Sequence, residues 1–245
     1  MISQTQAQLI LDERRIICET TTSRKRISLS QENRLQTGIN GYNSITGFEE
    51  IMLAGAAAEI IQLNNRFTYL VLPTEGAVNC ITIVDQTTVT AGQACVISAG
   101  NTSELVLENP FKDYLVSVLV ITVVNSNPAD MAGVYTYSDV NKHMDTLVPV
   151  LPDPGQYNKN ILAVALGLFA GRGEAIYAPV QNIPTATTVF VLQGAFEVDG
   201  RLLHQGDTLV VWDALHMEME ALSNRAMLLL LETRLTKFTA THYLY

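Results

Sequence analysis

The feature that most constrains this chain is an echo between its two halves, marked by glycines at matching places in runs of strand-forming residues. The first half reads Glu75-Gly-Ala-Val and then Ala91-Gly-Gln-Ala-Cys-Val-Ile-Ser98. The second reads Gln193-Gly-Ala-Phe and then Gln205-Gly-Asp-Thr-Leu-Val-Val-Trp212. Each is a strand, Gly-Ala, a strand, a turn, a glycine and another strand. A glycine at a fixed point of a β-meander supplies a positive φ or a close backbone approach. A pattern that occurs twice predicts two similar β-barrels in tandem.

Strand signals surround that skeleton. Runs rich in Val, Ile, Leu and Thr, separated by Gly, Asn and Asp, predict strands at 59–63, 67–72, 78–84, 94–98, 105–108 and 114–124. A second series is expected at 161–169, 175–179, 188–192, 195–198, 208–211, 217–221 and 226–232. Between them, 125–160 carries Asn-Ser-Asn-Pro, Pro149 and Leu151-Pro-Asp-Pro-Gly155, all turn chemistry. It is read as an interdomain connection with one short helical turn near 138–147, N-capped by Ser138. The expected organisation is an amino-terminal arm and first barrel over 1–124, the connection, a second barrel over 161–232 and an aromatic tail over 233–245. The arm is expected to cross onto the other barrel. Phe238, Tyr243 and Tyr245 of the tail are expected to lie on a barrel or a second subunit.

Composition excludes whole classes of function. The chain has 245 residues, 48% hydrophobic, so it can bury a core without covalent staples. Fifteen Lys and Arg against twenty-four Asp and Glu disfavour nucleic-acid binding, which needs a basic surface. The dense basic cluster Arg24-Lys25-Arg26 is read as a solvated loop. Cys18, Cys80 and Cys95 are odd in number and lack CxxC spacing, so neither a disulfide framework nor a thiolate metal site is expected. Cys80 and Cys95 sit in apolar runs and read as small buried hydrophobes. The opening MISQTQAQLILDERR has no basic region followed by a long apolar run, and 114–124 is too short to span a membrane. The expectation is a cytoplasmic protein that binds neither membrane nor nucleic acid.

A glycine ending one strand and another opening the next is the skeleton of the cupin double-stranded β-helix. The first half shows it at Gly76, Gly92 and Gly100, the second at Gly194 and Gly206. The stretch Phe169-Ala-Gly-Arg-Gly-Glu-Ala-Ile-Tyr177, then 189–204, Gly206-Asp207, Trp212-Asp213 and Glu220-Ala-Leu-Ser-Asn224, resembles the second cupin of pirin-like and quercetinase-like bicupins. Asp12-Glu13-Arg14-Arg15 is similar to the opening strand of such proteins. The resemblance implies an all-β fold of two tandem cupin barrels. Its activity varies widely between members, and some hold iron and open flavonol rings.

In a catalytic cupin, three histidines and a carboxylate converge on one divalent ion. Counted from Gly76 and Gly92, those places fall on Gln62, Asn64, Tyr69 and Ser103; counted from Gly194, on Val180, Asn182 and Thr187, with Met217 last and His216 one residue away. None supplies the donor set, and no histidine precedes His143. No metal or other cofactor and no catalytic residue are therefore expected. Gln62, Asn64, Tyr69 and Ser103 become candidates to line the first barrel's mouth, and Asn182, Trp212 and His216 candidates in the second. Trp212 reads either as a stacking wall or as core packing with its indole N–H bonded to backbone. The leading reading is a metal-free, non-catalytic bicupin that binds a small molecule or interacts with a protein partner. The alternative is a divergent metal-dependent, quercetinase-like dioxygenase or an isomerase. A homodimer stays open, and ligand and pathway are undetermined.

Overall fold

The computed structural model describes residues 5–30, 44–98, 102–125 and 132–235. Gly100 and the tail's Phe238, Tyr243 and Tyr245 lie outside them. Among the described residues, the strands form four sheets, and every strand pairing between them is antiparallel. The first barrel combines a seven-stranded and a four-stranded sheet. The larger runs in the order Ala132–Thr136, Gln93–Ser98, Phe67–Glu75, Val116–Val124, Ile45–Leu53, Ser23–Leu29, Ile16–Glu19. The smaller runs Ala58–Gln62, Glu104–Glu108, Ala77–Ile81, Gln86–Thr90.

The second barrel repeats the scheme. Its six-stranded sheet is ordered Ala7–Ile10, Thr208–Trp212, Thr185–Gln193, Ala226–Arg234, Ile161–Phe169, Thr146–Pro149. Its four-stranded sheet is ordered Glu174–Tyr177, Met217–Ala221, Ala195–Val198, Arg201–His204. The chain is thus all-β, two cupin barrels in tandem. The four matching glycines all take left-handed φ: 77° at Gly76, 98° at Gly92, 79° at Gly194 and 88° at Gly206. At Gly206 a side chain would also run into Asp12 of the amino-terminal arm. That arm crosses over, since Ala7–Ile10 pairs with Thr208–Trp212 of the second barrel.

Alternation along each strand divides the core into three parts. One apolar cluster fills the first barrel, with Ile51, Val71, Val118 and Leu107. A second fills the other barrel, with Phe169, Phe196, Met217 and Leu228. The third lies between the two large sheets, where Phe48 meets Phe190 with ring centroids 4.9 Å apart. Arg15 is a buried cation there. It donates to Asp12 and Glu50 at 3.0 Å each and to the Arg26 carbonyl at 3.0 Å, and lies 5.3 Å over the Phe190 ring.

Two expectations need correction. The segment 125–160 is more than a connection: Ala132–Thr136 completes the first barrel's large sheet and Thr146–Pro149 the second's. Its short turns are Val140–Lys142 and Pro154–Gln156, and the first is capped by Asp139, which accepts from the Asn141 N–H at 3.0 Å, rather than by Ser138. Arg24-Lys25-Arg26 is no loop. It lies inside strand Ser23–Leu29, whose alternation sends Lys25 and Arg26 to opposite faces, each to an acid that neutralises it. Among the described residues, no helix is long and apolar enough to cross a membrane.

Candidate functional site

Polar side chains meet at one end of the first barrel's interior. Ser23 and Lys25 stand opposite Leu53 and Ile51, whose side chains belong to the barrel core. Glu49 precedes Ile51 by two residues and shares that face. Glu59 alternates with exposed Ala58 and Ile60 and lies in line with Ile61 and Leu63, which pack on the core. The Lys25 ammonium sits 2.6 Å from Glu59 Oε1, and the Ser23 hydroxyl donates to Glu59 Oε2 at 3.1 Å. Burial pushes the Glu49 carboxyl above its ordinary value, Lys25 opposes that shift, and the negative charge of Glu59 adds to it. Tyr69 is buried beside them; its hydroxyl accepts from the Asn64 N–H at 2.9 Å. Burial raises its phenol, the Asn64 bond counteracts, and the charge of Glu49 raises it further.

Of the residues nominated in the first barrel, Tyr69 alone joins this cluster. Gln62, Asn64 and Ser103 are exposed. Gln62 donates to Glu104 at 3.0 Å on the outer wall, and Asn64 accepts from the Arg66 N–H at 2.9 Å. The inward places on that strand go instead to Glu59, Ile61 and, just beyond it, Leu63. The sequence reading missed Lys25, Glu49 and Glu59. A usable signal was the spacing of Ser23, Lys25 and Ile27, and of Glu49, Ile51 and Leu53, where charge replaces an apolar residue at strand period.

The second barrel closes differently. Glu232 is 0% exposed, within a strand whose Leu228 and Leu230 point into the barrel. Tyr177 Oη donates to its Oε2 at 2.5 Å, and the Val180 N–H donates to Oε1 at 2.8 Å. This clasp joins the two sheets of the barrel. Burial raises the Tyr177 phenol, and its bond to the neighbouring carboxylate raises it further. Thr187 stands opposite Glu232, and buried Met217 opposite Tyr177. The signal for Glu232 was a lone acid at inward parity in Leu228-Leu-Leu-Leu-Glu232.

The three nominated residues of the second barrel lie away from that interior. Asn182 is exposed with φ 72°. His216 has a side chain 62% exposed and stands 3.9 Å from Glu218. Trp212 is opposite Ala186, on the face shared with Phe190 of the inter-barrel core, so it walls no second-barrel pocket. Its buried indole N–H has no hydrogen-bond partner among the described residues, so the expected bond to backbone is not made. Outside the barrel, a groove of about 610 Å³ runs along Leu147, Pro149, Leu151, Pro152, Leu162 and Tyr177.

The residues present do not fit a transition-metal centre. At or beside the places counted for metal ligands, the inward side chains are Ile61, Leu63, Thr187 and Met217. The two acids of the first mouth already face the Lys25 ammonium. Among the described residues, no three His, Cys, Asp or Glu side chains converge as a metal would require.

No protein-family model matches the chain, and no curated protein matches it in sequence. Solved structures do match. YhhW from Escherichia coli superposes with a TM-score of 0.76 at 14% identity, over 92% of this chain and 97% of that one. The bacterial pirin YhhW in complex with nickel(II), from the same organism, gives 0.70 at 14%, over 92% and 98%. A quercetin 2,3-dioxygenase from Acinetobacter baumannii gives 0.69 at 13%, over 93% and 85%. At such identities the likeness speaks for architecture and leaves chemistry to the site. The chain has the tandem cupin fold of bacterial pirin and quercetin 2,3-dioxygenase.

Proposed function

We propose that this chain is a non-catalytic, cytoplasmic bicupin, a binding module whose seat for a small polar ligand is the first barrel's mouth. One observation carries this reading: the Lys25 ammonium, 2.6 Å from Glu59 and facing Glu49, sets a fixed positive charge among the acids of the first mouth. An ammonium can pair, orient and donate, but it offers no open coordination position for oxygen. Together with the Glu49 carboxyl, whose hold on its proton burial strengthens, and the Tyr69 phenol, it suits recognition of a molecule with both donors and acceptors. The apolar interior beneath it, filled by Ile61, Val71 and Leu107, holds the polar groups at the rim.

The test loads the full chain separately with nickel(II), iron(II) and manganese(II), removes unbound metal and measures metal per chain, then offers quercetin under air. The expected result is far less than one metal per chain and no loss of quercetin absorbance above the protein-free rate. One tightly held metal per chain, or catalytic consumption of quercetin, would overturn the reading in favour of a divergent dioxygenase.

A further inference from the structure

The first barrel contains a second chemical feature, independent of its mouth. Cys80 lies on strand Ala77–Ile81 of the small sheet and Cys95 on strand Gln93–Ser98 of the large one, and both point into the core between them. Both line one cavity of about 70 Å³, together with Thr82, Asp85, Thr87 and Thr102. The two thiols are close enough to perturb each other's ionisation. The buried hydroxyl of Thr102 on the cavity wall has no hydrogen-bond partner among the described residues. Two buried thiols on one cavity that admits a molecule about the size of water, with threonine and aspartate side chains on its wall, differ in kind from a pair of inert core cysteines.

We propose that Cys80 and Cys95 form a dithiol that hydrogen peroxide oxidises to an intramolecular disulfide across the two sheets of the first barrel. Cys95 is the attacking sulfur. Its interaction with the Cys80 thiol holds the Cys95 thiol below the ordinary value and pushes Cys80 above it, against the opposing effects on Cys95 of burial and of the Asp85 charge. The Cys95 thiolate attacks one peroxide oxygen; the O–O bond breaks, and the departing hydroxide takes up a proton to leave as water. The resulting sulfenic acid is attacked by the Cys80 sulfur, the S–S bond forms, and the S–O bond breaks with release of a second water. Overall, two thiols and one peroxide give one disulfide and two waters, with sulfur oxidised and peroxide oxygen reduced. Both cysteines line the same small cavity, so closure needs an approach of the two strands that carry them.

The experiment uses the full chain carrying Cys18→Ser, which removes the exposed third thiol. The protein is exposed to hydrogen peroxide, quenched with catalase, unfolded and alkylated with iodoacetamide. The expected result is loss of both alkylatable thiols, an intact mass lower by two hydrogens, and recovery of both thiols after dithiothreitol. Asp85 is the single aspartate between the two cysteines, so cleavage before it places them in separate peptides that stay linked until reduced. Two fully alkylated cysteines after peroxide would overturn the proposal. So would oxygen added to one sulfur with no link to the other. In a Cys80→Ser companion, dimedone is expected to label Cys95 as the stranded sulfenic acid. Label at neither residue in the folded variant would overturn the assignment of Cys95 as the attacking sulfur.

Discussion

The two barrels share one glycine-marked skeleton and close their ends with opposite chemistry. In the first, Glu59 is matched by a full positive charge, Lys25, at a rim that keeps partial contact with water. In the second, Glu232 is wholly buried and held by neutral donors, the Tyr177 hydroxyl and the Val180 N–H. An ion pair at a wet rim keeps exchanging partners with water and is available to a ligand. A carboxyl enclosed by two fixed donors behaves as a plug, costly to open because each lost bond leaves a desolvated acceptor. On the proposed reading, the same fold carries a receptive end and a sealed end, decided by a few side chains at inward positions.

That contrast requires the barrels to be one body, and Arg15 is where the requirement is most exposed to test. Its side chain is 0% exposed and ties Asp12 of the arm to Glu50 of the first barrel while stacking over Phe190 of the second. Arg15→Ala leaves Glu50 without its cation and Asp12 with Arg26 alone, at 3.4 Å. Breaking a buried pair costs roughly 3–5 kcal/mol, and the figure here falls towards its lower end because both acids keep some contact with water. Urea unfolding followed in parallel by far-ultraviolet circular dichroism and by Trp212 fluorescence is expected to show one coincident transition, shifted to lower urea. Two separated transitions in the wild-type chain would break the picture of one cooperative body.

The contrast itself is sharpened by removing one group from each end. Tyr177→Phe deletes one of two donors to a fully buried carboxylate and is expected to cost about 1–3 kcal/mol. Lys25→Met removes a cation from a pair whose side chains remain 23% and 19% exposed, with an expected cost at or below about 1 kcal/mol. Urea midpoints of the two variants in the same buffer, with and without added salt, rank them. A Lys25→Met loss equal to or larger than that of Tyr177→Phe would mean that the first mouth is structural, and its role as a receptive site would fall.

Why the sealed end and the rim were hard to see in the sequence has a physical answer. The echo around Gly76, Gly92, Gly194 and Gly206 was legible because a left-handed residue at a strand junction admits few alternatives to glycine. Long apolar runs such as Ile161–Phe169 were legible for the same reason of restricted choice. Strand Ile45–Leu53 was missed although it lies inside the large sheet of the first barrel: Gly47 and the Glu49-Glu50 pair look like a solvated turn. Gly47 is there because a Cβ would press on Thr122 at 3.0 Å, and Glu50 because Arg15 meets it at 3.0 Å. Lys25 misled in the same way, since its partner Glu59 is remote along the chain. Charge neutralised at long sequence separation reads locally as charge facing water. Gln62 and Asn64 fall on the outward parity for a related reason, because register decides which parity faces inward and register is set by partners on other strands.

Glu49 offers the finest test of the rim, through pH. Burial holds its carboxyl above the ordinary value of 4.5 in the folded chain, while the unfolded chain returns it to that value. The folded state therefore binds this proton more tightly than the unfolded state does. Its contribution to stability is fully present below 4.5 and is lost as pH rises through the folded value. Glu49→Gln keeps the shape and removes the titration. The variant's stability relative to wild type is expected to climb as pH rises from 4.5 towards neutrality and then to level off, by an amount smaller than either substitution above. Urea midpoints of both proteins across that range measure it. A difference that stays flat, or that falls with rising pH, would mean that Lys25 outweighs desolvation and holds Glu49 ionised. The rim would then be a closed three-charge network like the second barrel's plug, and the distinction between the two ends would narrow to one of exposure alone.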